Sequence, residues 1–314
     1  MSVFNIYHIT RYEYNRAVKE SHNEIKIYPY QYPGQEVLQH ELTITNGPSV
    51  HTFFDYWGNK VGVFSLTLPH TELAIESKLI VRTLGPQEVT INRNGMFGEL
   101  QVEMEDNLQL LELATPDFIT NENAIDNIIQ QIHQPANTVA QTVEACATYI
   151  YEQFKYVKGI TNTQTTVNEI LETRAGVCQD FAHVMLQILR TLNIPGRYVS
   201  GYICPNKNGM RGEGATHAWV EAYLPQQGWT GIDPTNNVWV TNRHVKLAVG
   251  RHFRDCSPVK GTFKGPAKQK LSVFVSVSYE DGHVFEEVNN VSSGKHSQDD
   301  ADDMVPQSFA MQQQ

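Results

Sequence analysis

The residues able to do chemistry fall in three short runs: Gly176-Val177-Cys178-Gln179-Asp180, Thr216-His217-Ala218-Trp219-Val220-Glu221, and Gly231-Ile232-Asp233-Pro234-Thr235. A cysteine supplies an attacking sulfur, a histidine removes its proton, and a carboxylate fixes the imidazole tautomer. The pattern predicts that Cys178 opens a helix. The unpaired N–H groups and positive dipole end found there favour thiolate over thiol. The same N–H groups suit the oxyanion that forms during acyl transfer. Cys178, His217 and Asp233 are therefore the candidate catalytic residues.

Two nearer partners for the sulfur fail on geometry. His183 is five residues on, rotated about 140° and raised about 7.5 Å along the same helix. Asp180, two residues on, lies about 200° round the axis and faces away. His217 is then the candidate base. Strand alternation puts His217, Trp219 and Glu221 on one face, with Ala218, Val220 and Ala222 on the other. Pro225-Gln226-Gln227-Gly228 reads as a hairpin link to the strand carrying Asp233, where Pro234 ends pairing. That link brings the carboxylate within reach of the second imidazole nitrogen. Cys146 sits on an apolar helical stripe and reads as a small core residue. The cysteines and histidines lack paired C-x2-C or H-x3-H spacing, so neither a metal nor a cofactor is expected.

The elements that position these residues follow from periodicity. In the first 85 or so residues, His8, Thr10, Tyr12 and Tyr14 share one strand face, and Leu73, Ile75, Ser77, Leu79 and Val81 another. Pro33-Gly34, Asn46-Gly47-Pro48 and Trp57-Gly58-Asn59 mark turns, so this region is expected to be a self-contained antiparallel β-sandwich. From about Pro116 the period becomes helical. Capping boxes at Thr138-x-x-Gln141 and Thr166-x-x-Glu169 start two helices, the second ended by Gly176. The Cys178 helix buries Phe181, Met185, Ile188 and Leu192 and ends at Asn193 and Pro195-Gly196. Strands follow at 197–203, 217–224, 229–233 and 271–279, with a glycine-rich loop at 206–214 expected to be mobile. The expected division is an N-terminal β-domain at 1–115, a catalytic domain with a C-terminal strand at 116–290, and a disordered acidic and polar tail at 291–314.

Composition bounds the partners. Across 314 residues there are 24 Lys+Arg against 34 Asp+Glu, a net charge of −10, and no basic stripe to follow a nucleic-acid backbone. No apolar run approaches the roughly 20 residues that cross a bilayer, so no membrane partner is expected. The first residues lack the basic start and apolar block of a signal peptide. The four cysteines are too scattered for a disulfide scaffold, and a cytoplasmic location is expected.

Together these runs resemble the bacterial transglutaminase-like superfamily. The likeness is carried by Arg174-Ala175-Gly176-Val177-Cys178-Gln179-Asp180-Phe181-Ala182-His183, Ile194-Pro195-Gly196-Arg197-Tyr198-Val199-Ser200-Gly201-Tyr202, Thr216-His217-Ala218-Trp219-Val220-Glu221 and Asp233-Pro234-Thr235-Asn236-Asn237. Gly250-Arg251 and Asp255-Cys256-Ser257-Pro258-Val259 continue it, and the β region is similar to the domain that precedes the core in those proteins. The resemblance covers about residues 1–290. It implies an α+β, papain/transglutaminase-like core, a Cys-bearing helix packed on an antiparallel sheet, preceded by the sandwich-like β-domain. It implies the triad Cys178, His217, Asp233, and makes Tyr156 the counterpart of an upstream oxyanion-stabilising aromatic. Gln179 and Trp219 are further candidates to line the acyl site. The expected activity is cleavage of, or acyl transfer from, a peptide or protein amide through a thioester. A transglutaminase using an amine acceptor and a non-catalytic binding module are the alternatives.

Overall fold

Phe4, Ile6, His8, Thr10, Tyr12 and Tyr14 all point into the interior from β1 (Ser2–Val18), as a period of two requires. The computed structural model describes residues 2–85, 88–204, 210–211, 216–279, 284–291 and 307–310. β2 (Glu20–Ile25), β3 (Gln35–Ile44), β4 (His51–Phe54), β5 (Lys60–Leu66) and β6 (His70–Thr83) complete the N-terminal strands. Gly58, at φ 79°, lies in the turn joining β4 to β5.

Helices then accumulate: α1 (Phe97–Met104), α2 (Leu108–Ala114), α3 (Glu122–Ile132) and α4 (Val139–Gln153). After β7 (Lys155–Tyr156), α5 (Val167–Thr173) and β8 (Ala175–Gly176) comes α6 (Cys178–Thr191). Both expected capping boxes form, Thr138 with Gln141 and Thr166 with Glu169. α5 ends earlier than expected. Arg174, not Gly176, takes the left-handed conformation at φ 51°, while Gly176 is extended in β8. The Arg174 guanidinium donates to Tyr149 Oη at 2.7 Å and stacks over Phe154, contacts that offset the cost of this conformation. Asn193, at φ 56°, follows α6 as read.

β9 (Gly196–Ile203), β10 (Thr216–Leu224), β11 (Gly228–Asp233), β12 (Val238–Trp239) and β13 (His244–Gly250) form an antiparallel sheet in the order β12-β11-β10-β9-β13. The chain continues through α7 (Phe253–Cys256), β14 (Val259–Lys264), β15 (Gln269–Tyr279), β16 (Val284–Val291) and β17 (Gln307–Ala310).

The sandwich is not self-contained. Its sheets run β16-β15-β1-β6-β3 and β17-β14-β2-β5-β4, so strands from the end of the chain pair with β1 and β2. A strand as long as β1 has two hydrogen-bonding edges, and β6 satisfies only one. Within the segment expected to be a disordered tail, Gln307–Ala310 pairs with β14. Val291 of that tail ends β16, and its remainder lies outside the described residues, as does the 206–214 loop except Met210 and Arg211. Helix begins at Phe97 rather than near Pro116, and Leu100, Met104 and Leu110 join the core under α6.

The third sheet lies between two layers. Ala218, Val220 and Ala222 of β10 pack into the α-helical core with Phe181 and Met185 of α6. Trp219 packs on the other face with Val199, Val249, Tyr30 and Trp57. Glu221 shares that second face, paired with Arg197 at 2.6 Å and with Lys246.

Candidate active site

Cys178 is the first residue of α6, and the chain before it is held in place. Tyr156 and Gly176 are partners in a parallel two-strand pairing, and the Val157 N–H donates to the Gly176 carbonyl at 2.9 Å. Val177 is extended, and its N–H donates to Asp180 Oδ2 at 2.8 Å; the Thr161 hydroxyl donates to the same oxygen at 2.7 Å. Asp180 therefore caps the helix start and is unavailable to the sulfur, as the helical angle required. Gly176 makes room for this cap, since a Cβ there would stand 2.6 Å from Asp180 Oδ2.

His217 is the second residue of β10, opposite Gly201 of β9. Asp233 ends β11, where the register places it one step beyond the Val220–Ile232 pair, opposite Trp219 and diagonal to His217. His217 Nε2 and Asp233 Oδ2 are 2.8 Å apart, both fully buried. Nε2 is committed to the carboxylate, and the Cys178 sulfur is near enough to His217 to act on its charge. Burial alone would discharge this imidazole. The Asp233 carboxylate and then the Cys178 sulfur outweigh it and push the ring up to about 10. Burial would likewise favour a protonated Asp233, but His217 beside it holds the carboxyl well below the usual range.

Three groups with no role assigned from sequence complete the surroundings of Asp233. Thr235 N–H donates to Oδ1 at 2.9 Å, and Asn236 Nδ2 donates to Oδ2 at 2.7 Å. The same Asn236 amide clasps Arg211, accepting its N–H at 2.7 Å and donating to its carbonyl at 3.1 Å. His244, on β13, places Nε2 3.7 Å from Asp233 Oδ2. Asn236 had a readable signal, an Asn three residues after an Asp in a turn. His244 had none, because two strands separate it from Asp233 in the sheet.

Trp219 is fully buried and stacks on His217, with centroids 6.4 Å apart and planes at 26°. It walls the imidazole. Gln179 is buried beside Cys178, and the half-buried Tyr156 lies edge-on to Phe181 at 6.2 Å. His183 accepts the Phe253 N–H at 3.2 Å and stacks on Tyr198, and burial lowers it to about 3. Burial pushes the thiols of Cys146, Cys204 and Cys256 upward, towards the inert protonated form. Cys178, His217 and Asp233 each have 0% exposure. Among the described residues no group of three or more His, Cys, Asp or Glu side chains is arranged to hold a metal ion. No helix among them is long and apolar enough to cross a membrane.

Comparison with known proteins agrees with the fold. Residues 126–234 match the transglutaminase-like superfamily core, and residues 4–82 match the bacterial transglutaminase-like N-terminal region. Uncharacterized protein ML0607 of Mycobacterium leprae is 32% identical over 278 residues, which cover 87% of this chain and 97% of that protein. The Protein-glutamine gamma-glutamyltransferase of Pseudomonas aeruginosa is 30% identical over 175 residues, covering 52% of this chain but 24% of that protein. Among solved structures, the "Putative Cysteine Protease from Cytophaga hutchinsonii" superposes with a TM-score of 0.65 at 19% identity, covering 99% of this chain and 98% of its own. The chain belongs to the bacterial transglutaminase-like family, with that family's N-terminal region and α+β core.

Proposed function

We propose that this protein is a cysteine-dependent enzyme that cleaves peptide-type amides through a thioester at Cys178. The observation that carries the reading is the 2.8 Å contact of His217 Nε2 with Asp233, which leaves the other imidazole nitrogen for the Cys178 thiol. In the proposed reaction the Cys178 sulfur, its proton held by His217, attacks the amide carbonyl carbon. A C–S bond forms and the carbonyl electron pair moves to oxygen. As that oxyanion collapses the C–N bond breaks, and His217 gives its proton to the departing nitrogen. Water then attacks the thioester while His217 takes its proton, the C–S bond breaks, and a carboxylic acid leaves. Asp233 keeps the imidazole in the required tautomer. The first N–H groups of α6, assisted by Tyr156 and Gln179, are the proposed oxyanion donors, and Trp219 is the proposed wall of the acyl site. Four cysteines, all free, suit a cytoplasmic setting that keeps the thiol reduced.

A second reading is that an amine takes the place of water, giving a transglutaminase. The partial match to the Pseudomonas aeruginosa protein with that name favours it. Intact-mass measurement of trapped acyl-enzyme, with peptide amides offered in the presence and absence of a primary amine, separates the two. Free acid as the product supports hydrolysis; ammonia release with incorporation of the amine supports transamidation. If no acyl adduct forms on Cys178 with any amide or activated ester, and iodoacetamide labels it no faster than the other three cysteines, both readings fail.

A further inference from the structure

His244 opens β13 with its side chain 2% exposed, and the proposed reaction does not use it. Its ring is edge-on to Trp219, with centroids 5.2 Å apart, and lies 6.5 Å from the ring of His217. Nδ1 accepts the backbone N–H of Thr241 at 3.5 Å, which leaves the ring proton on Nε2. Nε2 stands 3.7 Å from Asp233 Oδ2 and makes no hydrogen bond to any described residue. That distance is too long for a formed bond, and the reason is local. Oδ2 already accepts from His217 at 2.8 Å and from Asn236 at 2.7 Å, which fills its two lone-pair directions. A buried N–H left waiting beside an occupied carboxylate costs stability, so its presence requires an explanation.

We propose that His244 is a positioning residue for Asp233, a second imidazole facing the carboxylate oxygen that serves His217. From 3.7 Å its Nε2–H supports the ionised carboxylate that orients the His217 imidazole. Its consequence for turnover rests on the triad reading above. Burial keeps the His244 ring neutral below the usual histidine range, against the pull of Asp233. The titratable groups that face it are Asp233 from β11 and His217 from β10, while Lys246, further along β13, is committed to Glu221. When the ring charges in acid, the new cation competes for Oδ2 and repels the His217 imidazolium.

The test follows the imidazole 15N resonances of His217, assigned by their loss in His217→Asn, across the acid range in the full-length chain. In the wild type these resonances should shift again at acid pH, below about 6.5, as the neighbouring ring charges. That step should vanish in both His244→Phe and His244→Gln. Iodoacetamide labelling of Cys178 at neutral pH should slow about 10-fold in His244→Phe. It should recover in part in His244→Gln, whose amide N–H reaches towards the same oxygen. A His217 signal without the acid step in the wild type, or a step that persists in His244→Phe, overturns the proposal. If His244→Phe fails to fold, His244→Gln alone carries the NMR comparison. A Cys178 that labels no faster than its fellow cysteines would sink the triad reading and leave the NMR result to stand by itself.

Discussion

Trp219 lies where a side chain on Gly201 would have to go. A Cβ at Gly201 would stand 2.5 Å from the Trp219 indole and 2.1 Å from the Val245 carbonyl oxygen. Because the same indole is stacked on His217, the bare position on β9 helps to set the plane of the imidazole.

Gly201→Ala should therefore damage both stability and reactivity. The backbone carbonyl cannot yield and the indole has little room to move, so overpacking of about 1–3 kcal/mol is expected in urea unfolding. Cys178 labelling should slow in the folded variant. Unchanged unfolding with unchanged labelling would show that the indole does not depend on this gap.

Asp233→Asn keeps the size of the side chain but alters what it offers the imidazole. By the precedent of catalytic triads, acyl-enzyme formation should fall by roughly 10^3-fold or more. Single-turnover mass spectrometry reads the effect, and a thermal melt checks that the fold survives. A loss smaller than about 10-fold would mean that Asp233 does not orient His217.

Stability should depend on pH from two directions. The folded chain holds His217 protonated up to about 10, whereas an unfolded histidine releases its proton near ~6.5. The contribution is full below the unfolded value and is lost as pH rises towards 10, so the melting temperature should fall over that window. His217→Gln should flatten the fall. Glu221 behaves oppositely. Burial would raise it, but Lys246 and Arg197 hold it at about 2, so its contribution is full above 4.5 and lost as pH drops towards 2. Glu221→Gln should flatten the acid side and cost about 3 kcal/mol at neutral pH, because buried Lys246 and the partly buried Arg197 lose their shared anion. Melting curves of both variants from acid to alkaline pH are the check.

Local patterns in the chain were enough to locate the thiol helix. Thr138 with Gln141 and Thr166 with Glu169 announce helix starts within four residues, and Pro225 to Gly228 announces the hairpin that brings Asp233 beside His217. The alternation through Ala218, Trp219 and Val220 gives the two faces of β10 correctly. Pairing over long distances was hidden. The period of Leu271 to Tyr279 identifies a strand but carries no mark that its partner is β1. Arg174 escaped because a left-handed arginine depends on tertiary contacts with Tyr149 and Phe154. His244 escaped because only the assembled sheet brings it towards Asp233.

The pairing of β15 with β1 also governs how the molecule comes off the ribosome. β1 must wait, one edge bare, until residues 269–279 have been translated. An interrupted nascent chain would keep that edge open to pairing with a stranger, a hazard for aggregation. Only a chain synthesised through β15 can shelter it, so this outer sheet closes after the cysteine-bearing layer has been made.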